Sequence, residues 1–440
     1  MGQIFYTNVA SWQYYAYNGL CLVALVGLLW KYRGNMIPML IIMLFLGGVI
    51  DDLMGATGRN AYRIGLLGVC VWQSAKGALN HFFQVFPKVF CFICLYIFYY
   101  VITSIFINHD NFLLVFSLLS KLLIPFLILM LMLKANSEDE QNANAWFWLF
   151  EDLILIQIVL SIAKMVILGG FLEGWVGSMS GIRGGGSGTS FPLLGLMWLA
   201  LKTDMDFSRK DWLLAFGLLI LGFAAGKRAV WIMFPVLFCV LSMYVYRKSL
   251  VKKIIVVLAA APLLFYLAVR ISPTFNPDNK VWGTFDPEYA INYGLKYTAG
   301  IDESHAGVQT GVGRLGALTW MLEQFSQDGK NVMFGRGNEY MTYASKDIYS
   351  NATYYGGIQS RGNITGIVST FFTLGIVGIT FYILSFLCTF LSNRSRFNYV
   401  LFGVVFVDYL FYNGQTLNLM PLTMLALFLS FFSTELQEEY

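Results

Sequence analysis

Thirteen apolar runs divide this chain of 440 residues, and their number constrains the fold more than any motif does. They lie near 13–30, 36–50, 60–75, 82–107, 112–133, 146–170, 190–201, 211–226, 229–246, 254–271, 363–391, 397–412 and 416–435. A helix needs roughly 20 apolar residues to cross about 30 Å of hydrocarbon. The third and seventh runs are short and read as tilted or half-buried pieces, so the expectation is twelve to fourteen spans. The stretch 211–246 shows how length decides. As one helix its 36 residues would run about 54 Å at 1.5 Å per residue, nearly twice the bilayer core. Lys227 and Arg228 stand at its middle, which predicts two spans joined by a tight turn. Composition agrees: charged residues make up 12% and apolar ones 57%, against about 25% charged in soluble domains. A net charge of +4, spread this thinly, gives no footprint for nucleic acid. The chain reads as an all-α polytopic membrane protein with the lipid bilayer as its solvent.

Orientation follows from the placement of Lys and Arg. Alternate loops carry Lys31 and Arg33; Lys76 and Lys88; Lys134; Lys202, Arg209 and Lys210; Arg247, Lys248, Lys252 and Lys253; Arg394 and Arg396. These mark the cytoplasmic side, with the N-terminus outside and the acidic C-terminus inside. The first apolar run has neither a basic flank nor a small-residue cleavage site, so no signal peptide is expected. Three regions result: a bundle of about ten spans over 1–271, an external segment over 272–361, and about three C-terminal spans over 362–440. The external segment holds seven basic and nine acidic residues. Asp286-Pro287-Glu288 reads as a helix start. Leu315, Leu318, Leu322 and Phe325 recur at helical spacing and predict a stripe lying on the membrane or capping the bundle.

Cysteine and histidine offer little chemistry. All six cysteines fall inside apolar runs, and Cys91-Phe-Ile-Cys94 lacks the basic neighbour of a redox pair. They read as packing residues. The three scattered histidines draw no metal site. Gly311-Val-Gly-Arg-Leu-Gly316 has the letters of a dinucleotide fingerprint without the preceding strand, so it reads only as a turn presenting Arg314. The external arginines carry more weight, because orientation pressure runs against them. Arg183 stands in a Gly-rich segment, Arg228 in the tight turn with Lys227, and Arg314 and Arg361 in the large loop. A charge near hydrocarbon is costly, and phosphate, which Arg binds through two oxygens at once, would offset that cost. Snorkelling to lipid headgroups is the plainer reading. Among the external acids, including Asp302 and Glu339, none has a context that marks it as catalytic.

Many spans, one late external loop and arginines on either side of it resemble the O-antigen polymerase/O-antigen ligase superfamily. Gly313-Arg314-Leu-Gly-Ala-Leu-Thr-Trp320 is similar to that family's Gly-Arg…Trp helix, and Phe334-Gly-Arg-Gly337 to its Gly-x-Gly turn. Arg361-Gly-Asn363 before Leu374-Gly-Ile-Val-Gly-Ile379 resembles the segment that returns to the membrane. Lys227-Arg228 and Arg183 match the positions of the family's other external basic residues. Ligases of the superfamily carry a His-Asn pair where this chain has Arg361-Gly-Asn363, and its loop histidine, His305, lies upstream. The resemblance therefore implies a polymerase before a ligase.

What the resemblance implies is a C-type glycosyltransferase-like fold in a bacterial inner membrane, multi-pass, with the large loop periplasmic. The substrates are polyprenyl-diphosphate-linked oligosaccharides, one as donor and one as acceptor, and a chain-length regulator (a polysaccharide co-polymerase) is a further partner. No cofactor or metal is expected. Arg183, Lys227, Arg228, Arg314 and Arg361 are assigned to the diphosphate, with Arg314 also at the developing charge. Glu339, Asp302 and His305 are candidates for the base that takes the acceptor proton. A ligase delivering polymer to a lipid A-core acceptor is one alternative. A flippase for lipid-linked oligosaccharides is another, although no internal repeat is visible.

Overall fold

A computed structural model describes residues 10–139, 141–168, 177–179, 188–224, 228–247, 275–280, 282–299, 329–339, 365–392 and 394–411, with a few single positions besides. Its regular elements are all helical: α1 Ser11–Lys31, α2 Met36–Ser74, α3 Ala78–Val85, α4 Pro87–Ile102, α5 Phe112–Glu138, α6 Gln141–Leu168, α7 Ser190–Thr203, α8 Arg209–Ala224, α9 Arg228–Val240, α10 Pro287–Ala299, α11 Gly329–Phe334, α12 Gly366–Leu391 and α13 Arg396–Phe411. Short π turns extend α4 over Thr103–Ile107 and α9 over Leu241–Val245. With its π turn, α4 joins α5 and α12 as the helices long and apolar enough to cross a membrane among the described residues. Outward-facing side chains are apolar as well: Val23 is 72% exposed, Val166 71% and Ile232 73%. Apolar surface on this scale marks a partner or a lipid solvent.

Local chemistry sets the helix boundaries. The Asn35 carboxamide accepts the Ile37 N–H at 3.1 Å and starts α2. Asn111 does the same for α5, accepting from Leu113 N at 2.9 Å. The Asp286 cap read from sequence is present, its carboxylate accepting Tyr289 N at 2.9 Å before Pro287 opens α10. The apolar run 82–107, by contrast, does not form one helix. Phe86 leaves helical geometry (φ −127°, ψ 58°), and α4 begins at Pro87, whose missing N–H suits the first helical position.

Two helical pairs are hairpins. In a straight α2, Met43 and Tyr62 would stand about 28 Å apart, yet Tyr62 Oη donates to Met43 O at 2.9 Å. The second arm of α2 then lies along α5, with Ser117 Oγ on Asn60 Oδ1 at 2.7 Å. At the predicted turn between α8 and α9, a Cβ on Gly222 would meet Val230 Cγ1 at 2.5 Å, so those two helices also fold back on each other.

The core is continuous through α2, α4, α5, α6, α7 and α12. The short α7 is buried along its whole length from Ser190 to Leu201, which makes it an interior helix and not a lipid-facing span. The lysine-rich helix ends gather at one end of the bundle. Lys31 Nζ pairs with Asp152 at 2.5 Å, Glu151 receives both Lys202 and Lys210, and Lys134 Nζ donates to Lys76 O at 3.0 Å. Trp148 lies beneath the two lysines on Glu151, 5.5 Å from Lys202 and 5.7 Å from Lys210.

Candidate functional site

At the opposite end of the bundle, the turn after α11 is seated in a gap in α12. That helix breaks at Gly375, whose φ of 69° and ψ of −169° lie outside helical space and in a region essentially restricted to glycine. A break exposes backbone groups that must find partners. Arg336 N donates to Phe372 O at 2.7 Å. The Tyr99 hydroxyl, from α4, lies 2.8 Å from Leu374 O and 3.2 Å from Met333 O, sharing its proton between helix and turn. The fit is tight: a Cβ on Gly375 would come within 2.3 Å of Met333 O.

One turn further on, Asp110 holds the chain. Its carboxylate accepts Asn338 N at 2.6 Å, Asn338 Nδ2 at 3.2 Å and Glu339 N at 3.0 Å. Gly337 permits this approach: its φ is +89°, and a Cβ at this position would stand only 2.4 Å from Asp110 Oδ1. The Asn338 amide is fully used: Nδ2 also donates to Ser104 Oγ at 2.9 Å, and Oδ1 accepts the Tyr100 hydroxyl at 2.9 Å. Glu339 returns the contact by accepting Asn111 N at 2.9 Å, so the loop ties to the start of α5. Burial pushes the Asp110 carboxyl above the ordinary aspartate value; the bonds from Asn338 and Glu339 pull it back in part, and the Glu339 charge adds to the rise.

Of the residues singled out from sequence, Glu339 is in this knot. Its carboxylate has one oxygen on a backbone N–H and remains half-buried at the mouth of the bundle. Arg228 is the first residue of α9; its side chain lies outside the described residues. Arg183, Lys227, Asp302, His305, Arg314 and Arg361 also lie outside them, as does most of the stripe from Leu315 to Phe325. The Phe334–Gly337 turn is placed, and it sits against the Leu374–Gly375 segment. Sequence reasoning missed Asp110, Asn338 and Tyr99. Asp110-Asn111 directly before an apolar run is a helix-start signal, but nothing local ties it to a residue 228 positions away. Cys91 and Cys94, read as packing residues, are exposed on α4, whereas Cys21 and Cys70 are buried.

Among the described residues, the all-helical architecture and three long apolar helices fit the class of helical membrane proteins, here with a loop anchored into a broken helix. Compared with protein-family models, curated proteins and solved structures, the chain matches none.

Proposed function

We propose that this chain is a surface-polysaccharide polymerase of the bacterial inner membrane, joining polyprenyl-diphosphate-linked repeat units at the periplasmic face. The observation that supports this reading is the seating of the Phe334–Glu339 turn in the gap of α12 and on Asp110. It fixes a stretch inside the 272–361 segment, which by sequence also carries Arg314 and Arg361, at the end of the bundle opposite the lysine-rich one. In the reaction, the acceptor hydroxyl oxygen bonds to the donor's anomeric carbon. The C–O bond to the diphosphate breaks, polyprenyl diphosphate leaves with the electron pair, and a base takes the hydroxyl proton. Arg183, Lys227, Arg228, Arg314 and Arg361 are assigned to the negative charge on the leaving group. Glu339, Asp302 and His305 are the candidates for the base. The broken α12 favours a second reading, a flippase, because discontinuous helices are how many transporters build their sites. A ligase remains the third.

Reconstitution of the full chain with a lipid-linked repeat unit separates these readings. Polymerase activity gives a ladder of lengthened glycans, and Arg228→Ala and Arg314→Ala abolish it while the protein still accumulates. Normal long polymer from both variants would sink the assignment of these arginines. Transfer of polymer to a lipid core selects the ligase, and movement across the bilayer without bond formation selects the flippase.

A further inference from the structure

The apolar run 254–271 carries near its end a cation, Arg270, that the proposed reaction does not use. The turn over residues 276–283 folds back onto it. Asn276, fully buried, donates through Nδ2 to Val269 O at 3.1 Å and to Lys280 O at 2.9 Å. Its Oδ1 accepts Lys280 N at 3.3 Å, and Gly283 N donates to Arg270 O at 3.0 Å. Between the anchors at Lys280 and Gly283 stands Trp282, with a φ of 61°. A left-handed backbone is strained for so bulky a residue, and the residue is nonetheless 56% exposed.

The strain sets the indole against Arg270. The guanidinium lies over two rings, 5.8 Å from the centre of Tyr266 and 5.8 Å from that of Trp282. Ring faces attract a cation but leave its N–H donors unused. Nε is enclosed with no hydrogen-bond partner, and no carboxylate among the described residues pairs with the group. The acids of this stretch are committed elsewhere. Asp278 accepts Thr284 N and Thr284 Oγ1, both at 3.0 Å, and pairs with Lys280, while Asp286 caps α10. Beside the cation the rings continue as an apolar patch. Tyr266 lies 5.0 Å from Phe285, and Phe285 lies 6.2 Å from Phe265. All three are exposed, as Trp282 is, so a ligand reaches the platform from outside the protein.

We infer that the Arg270–Trp282 platform binds the phosphate headgroup of a bilayer phospholipid, with the upper part of an acyl chain against Phe265, Tyr266 and Phe285. The platform sets a cation without an acid beside an apolar patch, so its occupant carries an anion beside an apolar body. A phosphodiester supplies the anion, accepting two guanidinium N–H bonds at once, and the acyl chain supplies the body. Trp and Tyr rings with an arginine at the end of an apolar run also suit the level where hydrocarbon meets headgroups. An acidic sugar fits less well, because these rings offer its hydroxyls only one phenol and one indole N–H. The site does not depend on the polymerase reading.

The test follows Trp282 in the purified full chain in maltoside micelles. The chain has 11 tryptophans, so the emission of this one is taken as the difference from the same chain carrying Trp282→Phe. Phosphatidylglycerol brominated high on its acyl chains quenches that emission. Brominated diacylglycerol, which has the same tails without the phosphate, needs a mole fraction about tenfold higher, the loss of a charge-assisted bond. Arg270→Met raises the requirement for phosphatidylglycerol by about the same factor, and Arg270→Lys raises it less. Arg33→Met, between α1 and α2, leaves it unchanged. Unquenched emission in wild type, equal quenching by the two lipids, or a wild-type requirement in Arg270→Met overturns the site. The two-lipid comparison uses wild type, so it decides even should Arg270→Met not fold. Relief of the quenching by glycerol phosphate at the lipid's own concentration overturns the lipid assignment in favour of free phosphate, and relief by glucuronate overturns it in favour of an acidic sugar. Failure here leaves glycan extension and its dependence on Arg228 untouched, and a chain that extends no glycan leaves Arg270-dependent quenching untouched.

Discussion

Asp110 is subject to two opposing effects. Burial disfavours its charge, while three N–H bonds favour it, and burial prevails, so the pKa in the folded protein is raised. The linkage sign follows. Between the ordinary value of about 3.9 and the raised one, the folded state holds a proton that the unfolded state has lost, so this group's contribution to stability falls as pH rises through that window. It is fully present below the ordinary value. Asp110→Asn is predicted to flatten that part of the pH–stability profile, measured by thermal unfolding in detergent at pH values from about 3.5 to 7. Asp110→Ala is the harsher change, because it strands the Asn338 and Glu339 N–H groups. Its cost is about 1–3 kcal/mol for such unpaired buried donors. A profile in Asp110→Asn with the wild-type slope would show that another group sets it.

The broken helix explains why the loop stretch 331–339 belongs to the bundle. Phe372 O and Leu374 O are released by the break at Gly375, and the partners they find, Arg336 N and Tyr99 Oη, come from a loop and from α4. Helix, loop and neighbouring span are therefore one unit. Gly375→Ala adds a Cβ against Met333 O and forces an L residue into a glycine conformation, a strain of about 1–3 kcal/mol before the clash is counted. Tyr99→Phe removes a shared hydrogen bond and costs about 0.5–1.5 kcal/mol. The predicted order of destabilisation, Gly375→Ala well above Tyr99→Phe, is read from denaturation midpoints and from hydrogen exchange over residues 331–339. Equal protection of those amides in Gly375→Ala and wild type would contradict the coupling. The sequence-level reading divides here for a physical reason. Caps such as Asp286 and hairpins such as the one around Lys227–Arg228 depend on neighbours a few residues apart, so local pattern reveals them. The seat of the Phe334–Gly337 turn depends on groups from α4, the start of α5 and α12. Tyr99 and Asp110 reach it across more than 200 residues, and nothing in their own surroundings points there.

At the scale of the whole molecule, the loop-charge pattern and the contacts make the same division between two ends. Lys31, Lys202 and Lys210 pair with Asp152 and Glu151 of α6, and Lys134 reaches Lys76 O, at one end, while Asp110, Asn338 and Glu339 join at the other. The division is a consequence of scarcity. With 12% charged residues, the chain has few groups that water can hold at the ends of its helices, and five described lysines share one of them. The burial of α7 adds that not every apolar run spends itself on lipid; some fill the interior, so apolar runs overcount lipid-facing spans. A bilayer around this bundle must then separate the two ends. In a variant with its six cysteines replaced by serine or alanine, single cysteines at His109 and at Lys134 are predicted to react with a membrane-impermeant maleimide from opposite sides. His109→Cys labels in intact spheroplasts, and Lys134→Cys labels only after the membrane is opened. Labelling of both from one side would break the orientation drawn from the lysines and, with it, the proposed placement of the loop at the periplasmic face.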